Sequence, residues 1–163
     1  MGFCSRYLSQ GRTDASAIIN SMKILFVCLS NVGRSQMAME YYNQMTSSND
    51  ANSAGVEVYT PGETLQERRD RKGGIFVIDA MKQEGIDVRD NTQHPVTKDM
   101  LEDYDKVICM AQKESTPDWL ENAPNTIRWD VEDPGGKGLE ETVIARDIIK
   151  SKVADLVNDK KRR

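Results

Sequence analysis

Residues 23–28, Lys-Ile-Leu-Phe-Val-Cys, hold an apolar run with no polar alternation, and this run constrains the fold more than any other feature of the chain. A strand with one wet face alternates apolar and polar side chains, so an unbroken run reads as a strand buried on both faces of a parallel sheet. A polar loop follows at once. Met37, Ala38, Tyr41, Tyr42 and Met45 then recur at helical spacing over 35–45. Strand, short loop and helix in that order open a right-handed crossover.

The same alternation continues downstream. A second short strand is predicted over 52–56, a helix over about 75–84 that Gly85 would stop, and a third strand over 106–110. Thr97 is a plausible N-cap for a helix through Leu101 and Tyr104. Residues 126–129 read as a fourth strand, and after the breaker cluster Asp133-Pro134-Gly135-Gly136 a final helix should bury Leu139, Val143, Ile148 or Ile149, Val153 and Leu156. The stretch between the second strand and residue 75, with its Arg68-Arg69-Asp70-Arg71-Lys72 run, reads as a solvated polar loop that could also steer acidic ligands. The expected fold is α/β: one three-layer domain over 22–163, with a four-stranded parallel sheet, helices on both faces and a phosphate-binding loop after the first strand. Residues 1–21 show no useful period and read as a disordered N-terminal extension, with a targeting peptide or a mis-called start before Met22 as alternatives.

Composition removes several function classes. Lys and Arg number 22 against 26 Asp and Glu, a net charge of −4, which is the wrong sign for a protein that neutralises nucleic-acid phosphates along a groove. No apolar run approaches the roughly 18 to 20 residues that span a bilayer, so neither membrane insertion nor export is expected. Cys4, Cys28 and Cys109 lie far apart and His94 is the one histidine, so no metal site or disulfide framework is expected and a reducing, cytoplasmic setting fits.

The chemistry concentrates where the first strand ends. Cys28-Leu29-Ser30-Asn31-Val32-Gly33-Arg34-Ser35 is a C-x5-R-S segment that runs directly into a helix. The unpaired N–H groups of a helix start, together with the positive end of its dipole, can cradle a tetrahedral oxyanion. Arg34 adds a planar fork for two oxyanion oxygens, and the same field favours a thiolate at Cys28. Ser35 can donate a hydrogen bond to that thiolate, while Asn31 and Gly33 permit a tight turn. Asp133, on the loop after the fourth strand, is the candidate acid that protonates a leaving oxygen and later activates water. Asp130 and Glu132 are its nearest rivals.

Over about residues 22–158 the chain resembles the low-molecular-weight protein tyrosine phosphatase family, which includes thioredoxin-coupled arsenate reductases of the same fold. The resemblance rests on the 24–28 run, Asn31, Arg34-Ser35, Met37-Ala38, Ser53-Ala54-Gly55, Glu84-Gly85-Ile86, the 105–110 strand with Lys113-Glu114, and Asp133-Pro134. It implies that Cys28 forms a phosphocysteine, Arg34 binds phosphate, Ser35 tunes the thiolate, Asn31 holds the loop and Asp133 is the general acid. It implies no cofactor. The substrate expected is a phosphotyrosine-containing protein or a small aryl phosphate, acted on by a monomer; arsenate reduction and phosphate binding without turnover are the alternatives.

The chain also departs from the family pattern. Gly33 stands where many members have a second cysteine able to protect the nucleophile as a disulfide. Gly135-Gly136-Lys137-Gly138 follows Asp133-Pro134 where aromatic residues usually grip the substrate ring, and Tyr59 is a candidate replacement wall. Arg34-Ser35-Gln36-Met37-Ala38 has the arsenate-reductase pattern, yet Cys109 is the one cysteine downstream, and its apolar neighbours predict a buried, inert thiol. His94 reads as a surface turn residue, and Trp119 and Trp129 as core or sheet-edge anchors.

Overall fold

A computed structural model describes residues 22–162, with side chains described through Asp159; the expected extension over 1–21 lies outside them. Strand β1 (Ile24–Cys28) is buried at all five residues, and its side chains divide between two cores. Ile24, Phe26 and Cys28 face one side of the sheet; Leu25 and Val27 face the other. That division is why the sequence shows no alternation. Helix α1 (Arg34–Thr46) follows and returns the chain to β2 (Ala51–Gly55), which pairs parallel to β1. Strand β3 (Lys106–Cys109) pairs parallel to the other side of β1, and the short β4 (Thr126–Arg128) closes the order β2-β1-β3-β4.

Two layers of unequal depth cover the sheet. On the face of Ile24, Phe26 and Cys28 lie α1, α2 (Leu65–Lys72), α3 (Val77–Lys82) and the 24-residue α5 (Leu139–Arg162). The other face is closed by a 3-10 turn, Asp99–Asp103, and the one-turn α4 (Asp118–Glu121), through Leu101 and Leu120. Trp129 stacks at a tilt on Phe26, with centroids 5.8 Å apart, and Trp119 packs against the second core, so both anchor the sheet's flanks. Among the described residues, no helix is long and apolar enough to cross a membrane.

Three local expectations are corrected. The charged stretch read as a loop contains α2, started by a reciprocal capping box in which the Glu67 amide donates to Thr64 Oγ1 at 3.0 Å and Glu67 accepts from the Thr64 amide. Leu65 is its one buried residue, so no apolar period marked it. Thr97 caps no α-helix; i→i+3 bonds such as Leu101 N to Lys98 O tighten the segment into a 3-10 turn that fits the short path into β3. In α5 the buried stripe is Thr142, Ala145, Arg146, Ile149, Val153 and Val157; Leu139 and Ile148 are exposed. Arg146 sits on that stripe because its guanidinium reaches Ala80 O at 2.8 Å and Gln83 Oε1 at 2.9 Å, which ties α5 to α3.

Candidate active site

The sheet order places a switch point beside β1, with its two neighbours reached by connections that leave in opposite directions. Ligands of open parallel sheets bind in the crevice beyond the strand ends at such a point. Cys28 is the last residue of β1, 2% exposed, and it lines a cleft of about 360 Å³ together with Ser30, Val32, Gly33, Arg34 and Asp133. Sequence reasoning nominated each of these.

The loop over 29–33 is held from several elements. Asn31 is left-handed at φ 59°, as expected for the turn, and its side chain works in two directions. Its Oδ1 accepts the His94 amide at 2.8 Å, and its Nδ2 donates to Ser35 Oγ at 2.8 Å. Ser35 Oγ lies 3.1 Å from Cys28 Sγ. Because Asn31 already fills an acceptor position on Ser35, the hydroxyl hydrogen is free to be donated to a Cys28 thiolate. Gln36 Nε2 donates to Asn31 O at 3.0 Å and to Thr92 O at 3.1 Å, so the residue that suggested an arsenate reductase has a structural task here. Gly55 lets the loop pass close to β2: a Cβ there would sit 2.7 Å from Asn31 N and 2.9 Å from Ser30 C. The Gln36, Gly55 and residue 92–94 supports were missed as such, since each acts across tens of residues of sequence.

Arg34, 3% exposed, opens α1 and reaches across the sheet end. Its Nη1 donates to Met110 O and, at 2.9 Å, to Val131 O, while Nη2 lies 3.5 Å from Asp133 Oδ2. Nε has no partner among the described residues. With the unpaired amides of the first turn of α1, these N–H groups can surround an oxyanion above Cys28. Gly33 is the N-cap residue, and a Cβ there would meet nothing within 4 Å, so space does not impose a glycine.

Asp133 is oriented by the Gly135 amide, which donates to its Oδ1 at 2.9 Å and leaves Oδ2 toward Arg34. Its rivals are placed otherwise: Glu132 pairs with Lys137, which holds its carboxyl below the usual carboxylate range, and neither it nor Asp130 lines the cleft. Tyr59, 86% exposed, stands at the cleft, and Arg68, Arg71 and Lys72 of α2 line it as well. His94 is exposed, but its backbone amide is part of the loop's support. Cys109 is buried as expected and is paired in register with Val27, on the sheet face opposite to Cys28. No group of three or more His, Cys, Asp or Glu among the described residues could hold a metal ion.

A cysteine and an arginine on one strand-to-helix loop at the carboxyl edge of a parallel sheet define an α/β enzyme class that binds oxyanions beside a thiol. The chain belongs to the low molecular weight phosphotyrosine protein phosphatase family, whose sequence model matches residues 23–163. It is 29% identical over 140 residues to a putative arsenate reductase of Halobacterium salinarum, covering 86% of this chain and 94% of that protein. It is 30% identical over 138 residues to the glutaredoxin arsenate reductase of a Synechocystis species, covering 83% and 95%. The crystal structure of a low molecular weight protein tyrosine phosphatase from T. tengcongensis superimposes with a TM-score of 0.69 at 26% identity, covering 85% of this chain and 99% of that one.

Proposed function

We propose that the protein is a phosphomonoester hydrolase that cleaves phosphotyrosine or small aryl phosphates through a phosphocysteine at Cys28. The observation that carries this reading is the grouping of one thiol, Arg34 and Asp133 at one cleft, while Cys109 faces the other side of the sheet. The helix start and Arg34 bind the phosphate, and Ser35 stabilises the Cys28 thiolate. Sγ attacks phosphorus as the bond to the aryl oxygen breaks, and Asp133 gives that oxygen its proton. The carboxylate left behind takes a proton from water, the oxygen attacks phosphorus, and the S–P bond breaks to release phosphate. Asp133 ends protonated, ready for the next turnover. Each of these groups belongs to one chain, so the reading requires only a monomer, and a reduced thiol suits the cytoplasm.

The names of the curated relatives favour a second reading, arsenate reduction. Arsenate has the shape and charge of phosphate and fits the same cradle. Reducing arsenic(V) to arsenic(III) consumes two electrons, as two thiols become a disulfide. Cys28 and Cys109 lie on opposite sheet faces, so the second thiol would come from outside the described residues or from a partner such as glutaredoxin or thioredoxin. Parallel assays separate the readings. The hydrolase reading expects vanadate-sensitive, EDTA-resistant phenol release from an aryl phosphate with no thiol consumed; thioredoxin- or glutaredoxin-coupled arsenate consumption without phenol release would replace it.

A further inference from the structure

Three cations on α2 line the cleft, and their surroundings differ. Arg71 is satisfied: its Nε and Nη2 donate to the two oxygens of Glu63 at 2.7 and 2.9 Å, and this pairing holds the Glu63 carboxyl below its usual range. Arg68 is not. Its Nη1 donates to Gly73 O at 2.9 Å, a contact that fixes the side chain at the end of α2, but it forms no ion pair among the described residues. Partial burial and the neighbouring Arg71 charge push the Arg68 guanidinium down from its ordinary value, and the nearby Glu63 carboxylate, already paired with Arg71, offsets them only in part. Lys72 lies one helical turn further on the same face, exposed, with neither an ion pair nor a hydrogen bond among the described residues.

The acidic side chains lining this cleft are Glu57 and Asp133. Glu57 accepts from the Tyr59 hydroxyl at 3.3 Å, and Asp133 lies beside Arg34. A chain with a net charge of −4 therefore concentrates uncompensated positive charge at the one cleft that contains Cys28. We propose that Arg68, with Lys72 beside it, forms a second anion subsite that takes a carboxylate side chain flanking the phosphotyrosine of a peptide substrate. The phosphoryl group would occupy the cradle at Cys28, and the flanking carboxylate would supply the charge that Arg68 lacks. The identity of the substrate rests on the hydrolase reading; the subsite itself is a matter of binding.

The test uses two phosphotyrosyl peptides that are identical except for Glu or Gln beside the phosphotyrosine. Wild type should favour the acidic peptide by about three- to fivefold in kcat/KM at low salt, mostly through KM, as expected for partly exposed pairs. The ratio should fall toward one at about 0.5 M salt. Arg68→Gln should bring the ratio near one, Arg68→Lys should keep most of it, and Lys72→Gln should lower it in part. A ratio taken within one variant is independent of how much of that variant folds. Titrating Cys28→Ser with the same peptides reads the preference without turnover. Absence of hydrolysis by wild type would remove the hydrolase reading alone, and tighter binding of the acidic peptide would still support the subsite. Equal binding of the two peptides, binding of neither, or a ratio unchanged in the Arg68→Gln/Lys72→Gln double variant would overturn it.

Discussion

The loop over 29–35 and the segment over 57–76 line one cleft, yet they are held in different ways. In the loop, Asn31, Arg34 and Ser35 are all buried, and each makes hydrogen bonds to the loop itself or to the segments at 92–94, 110 and 131. Tyr59, Thr60, Arg71 and Lys72 in the other segment are exposed, and several of its contacts run between side chains of α2 and its own neighbours. A preorganised cradle can stabilise charge in a transition state without reorganising at the moment of reaction, so small errors there are costly. A solvated wall tolerates change at little cost to stability, which makes it the place where substrate choice can vary.

That contrast can be broken from the cradle side first. Arg34→Lys replaces a fork anchored on Met110 O and Val131 O by a point charge, and the expected outcome is a fall in kcat on the order of 10²–10³ for an aryl phosphate. Near-normal steady-state turnover would mean that the oxyanion binds elsewhere. Asp133→Asn should lower kcat/KM for phosphotyrosine by about 10² or more and for a nitrophenyl ester much less, because kcat/KM reads the transfer to Cys28 and nitrophenolate scarcely needs a proton to leave. An equal fall in kcat/KM for both esters would limit Asp133 to positioning Arg34 or to the water step. On the wall, Thr64→Ala removes half of a capping box and should lower stability by about 1 kcal/mol, read in a urea titration, with little change in kcat for a small ester. A loss of kcat comparable to that of Arg34→Lys would show that the wall takes part in the chemistry.

The same contrast governs what could be read from the sequence. Cys28 through Ser35 were legible because strand, loop and helix are contiguous, so local pattern alone puts thiol, arginine and hydroxyl at one junction. The burial of Cys109 was legible from its apolar neighbours. The approach of Gly55 to Asn31, the His94 amide and the Thr92 carbonyl held by Gln36 were not, because they join positions tens of residues apart and any polar residue would look equally suitable. Helix α2 was hidden for another reason. Its sequence, LQERRDRK, offers only Leu65 to the core, and the one available sign was the Thr64-x-x-Glu67 capping box. In α5 the pattern found Ile149 and Val153, but it placed Leu139 inside, where it is exposed, and a buried arginine at 146 was not anticipated on an apolar stripe.

The most direct test of a phosphocysteine at Cys28 is to mix the Asp133→Asn variant with an excess of nitrophenyl phosphate, quench in acid within the first turnover, and map the phosphoryl group by peptide mass spectrometry. With the water step deprived of its base, the covalent intermediate should accumulate. The account predicts one phosphoryl group per chain, on the peptide that contains Cys28 and absent from the Cys28→Ser/Asp133→Asn double variant. Nitrophenol release with an unmodified Cys28, or a phosphoryl group on any other residue, would contradict it.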